Sequence, residues 1–242
     1  MNSNNGQFNI SRRNSLKFVA GAIGTGILAA RAGAELAAPA PVVAETPLTP
    51  DQALQLLIDG NQRFVNAMRE KPNQTWTRIA AVAPSQAPFA AVLGCADSRV
   101  PVEIVFDRGF GDIFVCRVAG NVATPEEIGS LEFGTLLLKA KVLLVMAHER
   151  CGAVKAAIQG GQLPGHINSL TDAIQPAVNS TSNQPGDPVE NACKANARLQ
   201  ANRLKASPVM NQLIEEGKLK IVPCYYDLDT GAVEILPILG QL

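Results

Sequence analysis

No stretch of this chain is an apolar run of the roughly 20 residues that a membrane-spanning helix needs. The N-terminal stretch FVAGAIGTGILAA reaches only 13 residues and carries three glycines. Basic charge in excess is missing too: 21 Lys+Arg stand against 21 Asp+Glu, with no basic stripe. That gives no support for nucleic-acid binding. Paired cysteines are absent. The five, at 95, 116, 151, 193 and 224, are odd in number and scattered, so they are no disulfide framework. No internal repeat appears.

What is present begins with residues 1–44. SRRNSLK supplies a basic region, the apolar stretch follows, and an Ala- and Pro-rich segment ends in Val42-Val43-Ala44. This is the pattern of an export signal with a small-residue cleavage site. Arg12-Arg13, with Leu16-Lys17 behind, resembles a twin-arginine translocation signal, although Ser15 stands where Phe is usual. The expected destination is a periplasm, or a thylakoid lumen where the source has one. Residues 45–242 then form one domain with 17 Lys+Arg against 20 Asp+Glu. Export favours oxidation of thiols; unpaired cysteines survive it when a metal captures them before a folded protein is carried across.

Periodicity predicts an α/β fold with a central, mostly parallel sheet flanked by helices. A helix is expected over about 49–71, with Thr49 as N-cap and Pro50 at its first position. PFAAVLG (88–94), DIFVCRV (112–118) and KVLLVMA (141–147) read as buried strands. Helices are expected over 125–141, from Gly152 to the stop at Gly160-Gly161, and over 189–206 and 208–216. The segment 179–188 reads as a mobile loop, and LKIVPCYYDL with AVEILP as a closing hairpin.

In open parallel sheets, ligands sit beyond the carboxyl ends of the strands. Cys95 directly follows one strand, His148 follows another, and Cys151 opens the next helix. H-x-x-C by itself reads equally as a small buried Cys beside a His satisfied by a neighbour. With Cys95 added, the set is Cys2His, the composition of a zinc site with a position for substrate. A structural site with a fourth ligand from His166, Cys116, Cys193 or Cys224 stays open on composition. GCADSRVP places Asp97 and Arg99 two and four residues after the first Cys. A carboxylate paired with Arg stays ionised and accepts a proton from an activated water.

Taken together, GCADSRVPVEIVFD, GDIFVCRVAGN and AHERCGAVKAAI resemble the beta-class carbonic anhydrases, over about Gln52 to Pro237. The resemblance implies zinc held by Cys95, His148 and Cys151, and reversible hydration of carbon dioxide to bicarbonate and a proton. Asp97 would orient the attacking hydroxide, and Arg99 would hold Asp97. Gln86, Phe114 and Phe133 match positions lining the substrate pocket. Val92 stands where members with a second bicarbonate site have Trp, so Arg117 lacks its aromatic companion; an open-site, plant-like enzyme is implied. Ala147 replaces a Gly usual before the histidine, and Glu149-Arg150 is a charged pair expected to face solvent. Assembly as a homodimer or a higher multiple is implied, with the first helix on the partner. Two other readings stand beside this one. Close relatives hydrolyse carbonyl sulfide or carbon disulfide, and an exported non-catalytic zinc or thiol module predicts a closed site.

Overall fold

The computed structural model describes residues 48–237; the segment read as an export signal lies outside the described residues. Helix α1 (Pro50–Val65) starts where the capping pattern places it. The Thr49 hydroxyl accepts from the Gln52 N–H at 3.2 Å, and the Gln52 side chain accepts from the Thr49 N–H at 2.9 Å. It stops six residues short of the expected end. The N–H groups of Glu70 and Lys71 are drawn instead to the buried Asp107 carboxylate, at 3.0 and 2.9 Å. Ala67, Lys71 and Asn73 take left-handed backbone on the way. A short helix α2 (Trp76–Val82), too brief to show in periodicity, precedes the sheet.

Strands β1 (Ala90–Gly94), β2 (Ile113–Arg117), β3 (Val142–His148) and β4 (Lys220–Tyr226) are parallel, and β5 (Val233–Ile235) is antiparallel to β4. Their order is β2-β1-β3-β4-β5. The chain passes from β1 outward to β2, then returns across β1 to β3. The sheet therefore reverses its winding between β1 and β3, and a crevice opens at their carboxyl ends.

Alternate residues of the buried strands feed two faces. Ala90, Val92, Leu144, Met146 and Val222 pack with Leu57 of α1 and with Val102 and Val105 of α3 (Val102–Val105). Ala91, Leu93, Leu143, Val145 and Ile221 pack against α4 (Pro125–Glu132), α7 (Pro188–Lys205) and α8 (Pro208–Glu215). The helix expected over 125–141 leaves α geometry at Phe133, where a π-turn (Phe133–Leu137) follows α4. Helix α5 (Gly152–Gln159) ends at Gly160, whose φ of 67° suits glycine.

Most of the segment between α5 and α7 is helical, an element the sequence reading did not anticipate; the loop expected over 179–188 is present at 182–187, with the new helix running into its first three residues. Helix α6 (Ile167–Thr181) contains Pro176 and many polar residues, so its propensity is poor. It forms because Thr171, Ile174 and Ala177 are buried among α5, α7 and the turn after β2.

Candidate metal centre

β1 is wholly buried and ends at Gly94, so Cys95 leaves the sheet exactly where the crevice begins. β3 ends at His148 and α5 starts directly after Cys151. All three side chains are buried, and their donor atoms lie within 4.8 Å of one another. The Cys95 and Cys151 sulfurs are 4.0 Å apart, about twice a disulfide bond. Two sulfurs bound tetrahedrally to zinc at about 2.3 Å each stand roughly 3.8 Å apart.

The histidine is set for a cation. His148 Nδ1 donates to Glu149 O at 2.9 Å, which leaves the Nε2 lone pair facing the two sulfurs. Nε2 is buried without a hydrogen-bond partner, the state of a donor atom awaiting a metal. The two sulfurs lie within hydrogen-bonding reach of each other. Hydrogen bonding from Cys151 draws the Cys95 thiol well below its ordinary range against the opposing effect of burial, with the Gly120 and Asp97 N–H groups adding to it. The same contact, together with burial, pushes Cys151 up. A divalent cation takes both as thiolates. The residues fit zinc.

Asp97 Oδ2 lies 3.9 Å from His148 Nε2. Arg99 grips both of its oxygens, Nε to Oδ1 at 2.9 Å and Nη2 to Oδ2 at 2.8 Å, and the Arg99 N–H adds a bond to Oδ1 at 2.9 Å. This grip holds the Asp97 carboxyl well below the usual carboxylate range, although partial burial opposes it. Asp97 is thereby turned toward Arg99. No fourth His, Cys, Asp or Glu joins the cluster among the described residues. His166 is exposed at the start of α6, and Cys224 is buried within β4. Cys116 is half-buried in β2. Cys193, on α7, is pushed up to about 12 by burial.

The pocket residues expected from sequence do not join the donors within one chain. Gln86 is exposed on the segment before β1. Phe114 is level with Ala91 in the sheet, three residues below the strand end where Gly94 meets Arg117. Its ring is 6.4 Å from that of Phe133, which is half exposed on the π-turn.

Other supports escaped the sequence reading. Arg117 donates to the carbonyls of Cys95 (2.8 Å) and Asp97 (2.5 Å), bracing the loop between the first ligand and the carboxylate. Glu149 and Arg150 do not simply face solvent. Glu149 Oε2 accepts from the Leu228 N–H at 3.1 Å, and Arg150 binds both Asp229 oxygens at 2.9 and 2.6 Å. The ligand turn is thus fastened to the β4–β5 hairpin. Ala147 is accommodated in the core beneath the site, level with Tyr225.

Comparison with known proteins agrees with this geometry. The carbonic anhydrase family model matches residues 90–233. Carbonic anhydrase 2 of Mycobacterium tuberculosis is 34% identical over 198 residues, covering 80% of this chain and 96% of the relative. A carbonic anhydrase of Mycolicibacterium smegmatis is 35% identical over 202 residues, with the same 80% and 96% coverage. Among solved structures, Coccomyxa beta-carbonic anhydrase in complex with acetazolamide superposes with a TM-score of 0.60 at 27% identity, over 76% of this chain and 86% of that one.

Proposed function

The chain belongs to the beta-class carbonic anhydrases, and we propose from that premise that it is a zinc enzyme for the reversible hydration of carbon dioxide, with the Asp97–Arg99 pair orienting the attacking hydroxide. The observation that carries the reading is the convergence of Cys95, His148 and Cys151 on one point at the β1/β3 crevice, with an ionised carboxylate beside it. Zinc, when bound, supplies Lewis acidity that brings the pKa of a bound water down to about 7.

The chain's own residues do the rest. His148 keeps its Nε2 lone pair toward the metal through the bond from Nδ1 to Glu149 O. Asp97 Oδ2, beside that nitrogen, accepts the hydrogen bond of the attacking oxygen and so aims its lone pair at the carbon. Arg99 holds Asp97 ionised and prevents it from turning onto the donors. Arg117 fixes the backbone that carries both Cys95 and Asp97.

Assembly and export complete the proposal. The chain forms a homodimer or a multiple of it through its N-terminal arm, where Met68 and Trp76 are 66% and 85% exposed. Gln86, Phe114 and Phe133 contribute to the substrate pocket of that assembly; the exposure of Gln86 and Phe133 leaves them free to do so. Residues 1–44 direct twin-arginine export to the periplasm, in keeping with unpaired cysteines that a metal protects. Replacing Arg12 and Arg13 with Lys is expected to leave the protein in the cytoplasm, as fractionation would show.

The test of the activity is the zinc content and the pH drop on adding dissolved carbon dioxide, with and without Cys151→Ser. About one zinc per three-donor site and hydration abolished by the substitution are expected. Zinc without hydration, but with turnover of carbonyl sulfide or carbon disulfide, would replace the substrate and keep the site.

A further inference from the structure

Behind the Cys95 sulfur stand two amide side chains of α7, Asn196 and Gln200, one turn apart and both fully buried. Buried amides persist where their donors and acceptors are matched. Asn196 Nδ2 donates to Gly120 O at 2.8 Å, and Asn196 Oδ1 accepts from Gln200 Nε2 at 2.9 Å. Gln200 Oε1 accepts in turn from the Ala123 N–H at 3.0 Å. The two amides therefore grip both ends of the turn 120–123.

That turn needs gripping. Gly120 and Asn121 are consecutive left-handed residues, with φ of 73° and 43°, a sparsely populated run of backbone that the surrounding contacts hold in place. A Cβ on Gly120 would lie 2.6 Å from Ile174 Cδ1 and 3.1 Å from Ala153 Cβ, so α5 and α6 close on the turn from the far side. Held in this way, the turn aims the Gly120 N–H at Cys95 Sγ, at 3.3 Å.

We propose that Asn196, seconded by Gln200, is a positioning residue of the metal centre, holding the Gly120 N–H on the Cys95 sulfur and so setting how tightly that sulfur binds zinc. The inference rests on the zinc-site reading and adds to it two residues that touch no donor atom. An N–H bonded to a thiolate is a charge-assisted hydrogen bond that stabilises the anion before the metal arrives. It also spares the folded protein the cost of ordering the sulfur at the moment of binding.

The experiment uses the full chain under reductant, with Asn196→Ala, Gln200→Met and, as a control, Leu204→Ala. Leu204 is equally buried on the same helix but packs in the cluster with Leu143 and Ile221. Zinc affinity is measured by chelator competition, and the sulfur-to-metal charge-transfer band is recorded after cobalt(II) substitution. Asn196→Ala is expected to weaken zinc by about 10- to 100-fold, the usual effect of losing a group behind a metal ligand. Its cobalt band is expected to move to lower energy, because a thiolate that loses its donor gives up charge more readily. Gln200→Met should shift both readouts less, in the same direction. Leu204→Ala should lower thermal stability and leave both readouts unmoved. An Asn196→Ala protein that folds, binds zinc as tightly as the unsubstituted chain and keeps its band would overturn the proposal, as would equal losses in Leu204→Ala. Should Asn196→Ala not fold, the unsubstituted protein loaded with NMR-active cadmium decides: scalar coupling from the metal to the Gly120 amide proton is expected, and its absence overturns the proposal. An unsubstituted chain that binds no zinc would sink the metal-site reading as well, whereas tight binding with unmoved variants would sink this inference alone.

Discussion

Cys95 and the His148–Cys151 turn deliver their donors to one point from the ends of neighbouring strands, yet they are held in different ways. His148 is the last residue of β3, still paired with Tyr226, and its ring is locked by the carbonyl of the next residue. Cys151 stands at the head of α5. The regular elements position this half, with a fastening to the hairpin through Arg150 and Asp229. Cys95 has left its strand and belongs to no regular element. Its sulfur is met by Gly120, its carbonyl by Arg117, and the Gly120 turn by an amide 76 residues further along the chain. A strand end or a helix start can present a ligand almost unaided. A loop needs polar groups brought from elsewhere, because a short irregular segment has neither a ladder nor an apolar face to fix it.

The widest expected effect separates chemistry from support. Asp97→Asn keeps the side chain's shape but removes the charge, and kcat is expected to fall by about 10²-fold or more while zinc content stays constant. Stopped-flow hydration beside metal analysis checks this; an unchanged kcat would strip Asp97 of its role.

Next comes a region remote from both halves, which calibrates simple loss of stability. Asp107 is fully buried and accepts from Arg63 Nε at 2.8 Å as well as from the Glu70 and Lys71 N–H groups. Burial alone would raise its pKa, but these bonds outweigh burial and depress it. A depressed carboxylate stabilises the fold above its unfolded value, about 3.9, and that stability is lost as pH falls through the folded value. Urea titrations of metal-free protein should therefore show stability declining below about pH 4. Asp107→Asn should cost about 3 kcal/mol near neutrality, because Arg63 loses its buried partner, and should flatten that decline. A decline unchanged in the variant would assign the acid sensitivity elsewhere.

Gly120→Ala sharpens the contrast at the Cys95 side. The added methyl meets Ile174 and Ala153 in a left-handed backbone, so a loss of about 2 kcal/mol is expected. Weaker zinc binding should accompany it, since the N–H on Cys95 moves. Equal zinc affinity after that loss would show that the sulfur does not depend on the turn.

The smallest effect belongs to the other half. Arg150 and Asp229 are substantially exposed, and exposed ion pairs add only a small increment to stability because water screens them. Arg150→Ala should change denaturation by no more than this, progressively less as salt is added, with little change in zinc affinity. A large loss of zinc would erase the difference between the halves.

Much of the fold was legible because its cues are local. The four parallel strands, the Thr49 cap and the Gly160 stop each depend on a few adjacent residues, and each appears within a residue or two of its expected place. Two misreadings share one cause. The helix at Ile167–Thr181 has Ile167, Leu170, Ile174 and Val178 at helical spacing, but Pro176 and the Asn, Ser and Thr residues between them mask that signal; it holds as a helix because α5 and α7 bury one face. The early end of α1 is set by Asp107, more than thirty residues away. Arg150 faces solvent as expected, but the ties of Glu149 and Arg150 to the β4–β5 hairpin were not legible for the same reason, since their partners lie 79 residues away in the chain.

The sequence by itself determined which chemically active groups come together and roughly where. Cys95, His148, Cys151 and Asp97 are chemically distinctive, and strand ends follow from buried apolar runs, so composition and short spacing sufficed. Only the tertiary structure decided what holds those atoms in place. Nothing near Asn196 in the chain marks it as different from any polar residue of a helix, and Arg117 stands out only as the Arg of a second bicarbonate site without its aromatic companion, not as a brace of the Cys95 loop. Their roles arise where α7 and the end of β2 meet the Cys95 loop, and the hydrogen bonds that define such roles join residues that only folding brings together.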